Sequence, residues 1–194
     1  MSQREEYNVQ PDSGRPFLSR YRFIRFPDLS AQLIFWPVML VGLALDLWSK
    51  SALFDWLGQK QGDTLSIIDG VLHFVLVQNA GAAFGIALGQ RYLLITVSVL
   101  ALMIILAVFL LGQAKQTVTV FALGLLAAGV CGNLYDRIFN DGLVRDFIDI
   151  VYWPDKHWPA FNIADTMLCI GVGLLIVSAV FTEKSSRRRV QQRK

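Results

Sequence analysis

The sequence predicts an integral membrane protein, mainly α. It should be a four-transmembrane-helix bundle with a small extracytoplasmic β-sheet and a short interfacial helix. Three observations predict this. Of 194 residues, 54% are hydrophobic and only 17% are charged, against about 25% charged in ordinary soluble domains. The mean hydropathy is +0.47. Four apolar stretches reach, or nearly reach, the length of about 20 residues that a helix needs to cross a bilayer.

The elements follow in order. Residues 1–30 are rich in Arg, Ser, Gln, Glu and Pro and read as a mobile tail. They are too long for an ordinary secretory leader, and no small-x-small cleavage site follows, so span one is expected to be retained. Span one runs over about 31–48, with Pro37 tolerated as a bend inside a packed bundle. Ser51 to Leu57, with Trp56, suggests a short helix lying in the outer interface. Gly70 opens Val71 to Val77, which is β-branched and aromatic, too short to span, and extended. The small residues of Asn79-Ala80-Gly81-Ala82-Ala83-Phe84-Gly85 let a backbone approach closely.

Spans two (about 92–111) and three (about 117–135) carry no charge. Gly124, Ala128 and Gly132 form a small-residue stripe on span three that permits close helix contact. Asn140-Asp141-Gly142 signals a turn, and Leu143 to Tyr152 again reads as extended. Span four covers about 162–181. The organisation is thus a tail (1–30), a four-span unit (31–182) and a basic tail (183–194).

Lys and Arg set the orientation. The two tails and the link between spans two and three hold twelve of the 18, so they should be cytoplasmic. The longer segments 49–91 and 136–160 hold six and should face outward. The net charge of +3 comes mainly from the tails and suits an anionic lipid surface, not nucleic acid.

The chemistry must come from carboxylate, amide and arginine. No GxSxG elbow, HExxH zinc motif or GxxxxGK[ST] phosphate loop is present. His73 and His157, the only histidines, lie far apart in sequence, and His73 reads as structural. Cys131 and Cys169 lie inside spans and read as small packing residues with no reason to pair. Asp46, Asp136, Asp146, Asp149 and Asp165 all fall near outer span boundaries. An ionisable residue at a membrane core is costly, which marks a candidate functional site. Asp146 and Asp165 are 19 positions apart with a short polar hairpin between them. Two carboxylates that meet cannot both ionise easily, and a proton-sharing pair is the equipment of aspartic-protease chemistry. It needs no metal or cofactor.

Bland readings stand beside this one. Asp165 can complement the start of span four with Asn162 as its N-cap. Asp136 and Arg137 can form an interfacial charge pair, Asp46 and Lys50 a local i,i+4 pair, and Asp149 can be solvated.

Several blocks together resemble lipoprotein signal peptidase, or signal peptidase II. They are Gly132-Asn133-Leu134-Tyr135-Asp136-Arg137, Gly142-x-Val144-x-Asp146-Phe147, Phe161-Asn162-x-Ala164-Asp165, Asn79-x-Gly81-Ala82-Ala83-Phe84-Gly85 and Asp46-x-x-Ser49-Lys50. The resemblance covers about residues 31–182, with the blocks in order on four spans. The interval from Asp136 to Asp146 is one residue longer than the family pattern, with the insertion at Asn140-Asp141, and the leading tail is longer than usual.

The resemblance implies a metal-independent aspartic endopeptidase of the bacterial inner membrane, with both termini cytoplasmic and its site at the outer face. Its substrates would be diacylglyceryl-modified prolipoproteins, cut just before the lipidated cysteine. Membrane lipids would surround it, and cyclic peptides such as globomycin would inhibit it. Asp146 and Asp165 would be catalytic. Asn133 and Asn162 would orient them, Asp136 would hold Arg137 or the backbone, and Asp46 would support the site from span one. Asn79, Arg137, Gly81, Phe84, Gly132, Val144 and Ala164 would meet substrate or inhibitor. Apart from the resemblance, the β segment and the Gly81–Gly85 loop (71–85) are expected to clamp or open over the site.

Two other readings stay open on the residues alone. Gly142-x3-Asp146-x2-Asp149 is faintly similar to the site of a metal-dependent membrane phospho-alcohol transferase. A small proton-coupled transport subunit would use membrane aspartates as a proton path.

Overall fold

A computed structural model describes residues 26–59, 64–81, 89–112, 116–154 and 156–191, with side chains as far as residue 181. Phe84 and the rest of 82–88, like most of the N-terminal tail, lie outside the described residues.

Four helices, α1 (Leu29–Gly58), α2 (Arg91–Leu110), α3 (Thr117–Phe139) and α4 (Ile163–Gln191), are joined by strands β1 (Thr64–Ile68), β2 (Leu72–Asn79), β3 (Val144–Trp153) and β4 (Lys156–His157). Each helix contains a segment long and apolar enough to cross a membrane. Their outward faces carry exposed residues such as Leu40, Val97, Ile104 and Ile176, as a lipid-facing surface requires. Trp48, Trp56, Tyr152 and Trp153 are exposed near the sheet end, where aromatic side chains suit a membrane–water boundary.

The centre of the bundle is α3, with 61% of its apolar window buried against 17–22% in the other three. Small residues make that possible. Gly124 lies against Val38 and the Phe35 carbonyl of α1, and Ala128 lies opposite Gly42. Gly129 and Gly171 bring α3 and α4 together, because a Cβ on Gly129 would sit 2.6 Å from the Ala164 carbonyl oxygen. The stripe on span three is therefore the α1 contact. Near the other membrane face, Phe35 and Phe109 stack at 3.9 Å and close α1 on α2.

The strands form one antiparallel sheet in the order β1-β2-β3-β4. The extended segments 71–77 and 143–152 are β2 and β3; β1 and β4 were not legible beforehand. After α3, Asp141 takes φ 50° and Gly142 φ 88°, so the insertion forms the tight turn that its Asn-Asp-Gly sequence suits.

Two boundaries differ from expectation. The separate interfacial helix over 51–57 is instead the last two turns of α1, which continues without a break. Ser49 and Lys50, between the two expected helices, are buried there and face protein. Span three also runs on to Phe139, because Asp136 and Arg137 are buried and partnered inside the bundle.

Candidate active site

The third residue of β3 is Asp146, and the first turn of α4 carries Asp165. A backbone bridge ties these elements together. Phe161, just before α4, exchanges hydrogen bonds with Ile148 at 2.9 and 3.0 Å. Both carboxylates line one cavity of about 490 Å³, with Asn79, Gly81, Asn133, Arg137 and Val144 on its walls.

Each carboxylate is held by two donors. Asp146 accepts from Asn162 Nδ2 at 2.6 Å and from Asn79 Nδ2 at 3.0 Å. Asp165 accepts from Asn133 Nδ2 at 2.8 Å and from the Asn162 backbone N–H at 3.2 Å. Asn162 Oδ1 in turn accepts from the Asp165 N–H at 3.0 Å, which closes a reciprocal N-terminal cap on α4. Capping and a shared site are thus the same arrangement, not rivals. Burial pushes the Asp146 carboxyl up to about 7. The Asn79 hydrogen bond opposes that rise, and the nearby Asp165 charge adds to it.

Behind the pair lies a buried ionic cluster. Lys50 Nζ is 2.7 Å from Asp46 and 3.4 Å from Asp136, all three side chains fully buried. The lysine also donates to Asn133 Oδ1 at 3.0 Å. Lysine has donors only, so it faces the amide oxygen and turns the Asn133 NH2 toward Asp165. Asp46 Oδ1 accepts from the Ala164 N–H at 2.8 Å, a second cap on α4. The i,i+4 pair of Asp46 and Lys50 therefore exists, within a larger network.

Of its two expected partners, Asp136 holds the backbone and not Arg137. It pairs with Arg145 at 2.7 Å and accepts the Arg145 backbone N–H at 3.0 Å. Successive residues of a helix point in different directions, and Arg137 points instead into the cavity wall, donating to the Gly81 carbonyl at 3.1 Å.

Gly132 and Ala164, expected to meet substrate, lie behind the dyad. Both are buried where α1, α3 and α4 meet. A Cβ on Gly132 would collide with Asp46 Oδ2. Sequence reasoning passed over Lys50 and Arg145 as parts of the site, and also the lining residues Trp158, Phe161, Thr166 and Leu168. A lysine one turn from an aspartate within an apolar helix, in the block Asp46-x-x-Ser49-Lys50, is the signal that pointed at Lys50.

Asp149 is not solvated. It is buried and lies 3.3 Å from His73 Nδ1 and 2.8 Å from His157 Nδ1. The two histidines, remote in sequence, have ring centroids 6.4 Å apart. Asp149 does not line the cavity, because an odd spacing along β3 turns it away from Asp146. The paired Asp146/Asp149 site of the transferase reading is not assembled. Cys131 and Cys169 are free thiols, as expected, though Cys169 reaches the cavity wall.

Known proteins share this architecture. The family model described as Signal peptidase (SPase) II matches residues 38–181. A lipoprotein signal peptidase of Sulfurihydrogenibium sp. is 39% identical over 158 residues, covering 78% of this chain and 94% of that protein. One of Geobacter sulfurreducens is 39% identical over 154 residues, with the same coverage. A bacterial membrane enzyme solved by the in meso method superposes with a TM-score of 0.68 at 29% identity, covering 84% of this chain and 94% of that one. With the family matched over most of its length and the fold shared, the chain belongs to the signal peptidase II family.

Proposed function

We propose that Asp146 and Asp165 are the catalytic pair with which this membrane protease removes signal peptides from prolipoproteins. The observation that carries the proposal is the shared cavity, in which two carboxylates from different elements are each held by two amide donors. Asp146, with its raised pKa, holds the proton of the pair near neutral pH. It donates that proton to the scissile carbonyl oxygen. Asp165 takes a proton from the attacking water, whose oxygen bonds to the carbonyl carbon. The tetrahedral diol then collapses: one hydroxyl proton returns to Asp146, the C–N bond breaks, and Asp165 passes its proton to the leaving nitrogen.

The substrate carries diacylglycerol on its lipobox cysteine and is cut just before that residue. It enters from lipid between the spans, along the apolar wall that includes Leu168 and Phe161. Arg137 and Asn79 hold its extended backbone. Cyclic peptides such as globomycin occupy the same cavity. The working unit is residues 31–182 in a bacterial inner membrane, with tails 1–30 and 183–194 cytoplasmic. The distribution of Lys and Arg supports that orientation and puts the dyad at the outer face.

The test is cleavage of a diacylglyceryl-modified prolipoprotein in detergent with EDTA present. Wild type should cleave, and Asp146→Asn and Asp165→Asn should each fail while remaining folded. Near-normal activity in either variant would overturn the assignment of the pair.

A further inference from the structure

The sheet brings both histidines of the chain onto one aspartate. His73 on β2 stands directly opposite Asp149 on β3. His157 on β4 pairs with Val151, two residues from Asp149 and on the same face. The strand register therefore places the three side chains together as one cross-strand and one diagonal neighbour. Their ligand atoms all lie within 4.8 Å of one another. Asp149 Oδ2 is 3.3 Å from His73 Nδ1 and 2.8 Å from His157 Nδ1.

We infer that His73, Asp149 and His157 form a binding site for a divalent transition metal of the zinc class, on the outer sheet and separate from the catalytic pair. Zinc takes imidazole nitrogen and carboxylate oxygen at about 2.0–2.2 Å. Two such ligands in tetrahedral array stand roughly 3.4 Å apart. The two aspartate–histidine separations, 3.3 and 2.8 Å, lie on the short side of that spacing, with all three ligand atoms inside 4.8 Å. Two imidazoles and one carboxylate favour zinc, nickel or copper over magnesium or calcium, which prefer all-oxygen sites. Burial grades outward across the three side chains, at 10% exposed for Asp149, 18% for His73 and 51% for His157. The carboxylate thus lies innermost and the site opens to solvent on the His157 side. A bound ion would fasten β2 and the two-residue β4 to β3, the strand that carries Asp146.

The test uses the full-length chain without an affinity tag, in detergent, stripped with EDTA and freed of it. Because the chain has only two histidines, imidazole binding of metal reports on this site alone. Co²⁺ is titrated by its visible absorption and displaced by Zn²⁺. One equivalent should bind, and saturating Zn²⁺ should raise the thermal midpoint of wild type. Losing even an outer-shell partner of a metal typically weakens affinity 10–100-fold, so His157→Ala should weaken it at least about tenfold. His73→Ala and Asp149→Asn should do the same. His157 is half-exposed on an edge strand, so its variant keeps the fold and decides the matter if the others do not. Absence of saturable binding, an isotherm unchanged in His157→Ala, or binding lost only in Cys169→Ser would overturn the inference. Cleavage in EDTA tests the catalytic reading independently.

Discussion

Lys50 donates to Asn133 Oδ1 at 3.0 Å, and Asn133 donates onward to Asp165 at 2.8 Å. A lysine on α1 thereby sets the orientation of a cavity carboxylate on α4, the one proposed to activate water, without touching it. Lys50→Met should cut kcat by about a hundredfold, since small misplacements at a reacting centre cost that much. It should also lower stability by roughly 3–5 kcal/mol, because Asp46 loses its buried partner. Steady-state kinetics and thermal unfolding in detergent check both. An unchanged KM alongside a fallen kcat marks positioning rather than binding.

Activity should fall as pH rises above about 7. In that range Asp146 loses the proton that the pair shares, and two adjacent charges cannot perform acid catalysis. A pH–rate profile flat to pH 9 would contradict this.

Asn79 supplies a hydrogen bond that holds the Asp146 pKa down. Asn79→Ala removes it, so the alkaline limb of the surviving activity should move to higher pH. A limb moving to lower pH would reverse the stated role.

Between the ordinary carboxylate range and about 7, folded Asp146 keeps a proton that the unfolded chain has released. Stability from this group is therefore lost as pH rises through that window. Asp146→Asn should abolish cleavage yet unfold at an equal or higher temperature at pH 8. A large drop in the midpoint would mean that the carboxylate is structural.

Gly132→Ala should be destabilising by about 1–3 kcal/mol, as expected for overpacking, because its Cβ collides with Asp46 Oδ2. Gly173→Ala, whose Cβ meets nothing within 4 Å, is the matched control.

The four spans and the two aspartates that share the cavity were legible because length, hydropathy and boundary carboxylates are local properties of the chain. β2 and β3 were legible from β-branched and aromatic runs. The strands β1 and β4 were not, since Thr64–Ile68 is mostly exposed and Lys156–His157 is only two residues long. Polar pairing was the harder part. Asp136 was expected to hold Arg137 or the backbone; it holds the Arg145 backbone N–H, and α3 turns it toward the side chains of Lys50 and Arg145. Asp149 looked solvated because its partners arrive from two other strands. The end of α1 differs from expectation partly for the same reason: Lys50 also meets Asn133 and Asp136, and Ser51 meets Arg145, all distant in sequence.

Asn162 binds both aspartates at once. Its side chain reaches Asp146, its backbone reaches Asp165, and its neighbour Phe161 is hooked to β3. If α4 slides or tilts as the bilayer thickens or thins, that displacement is common to both carboxylates and largely cancels from the distance between them. The separation of the two carboxylates is thus set by one residue at the start of α4, and not by how deeply that helix sits in the membrane.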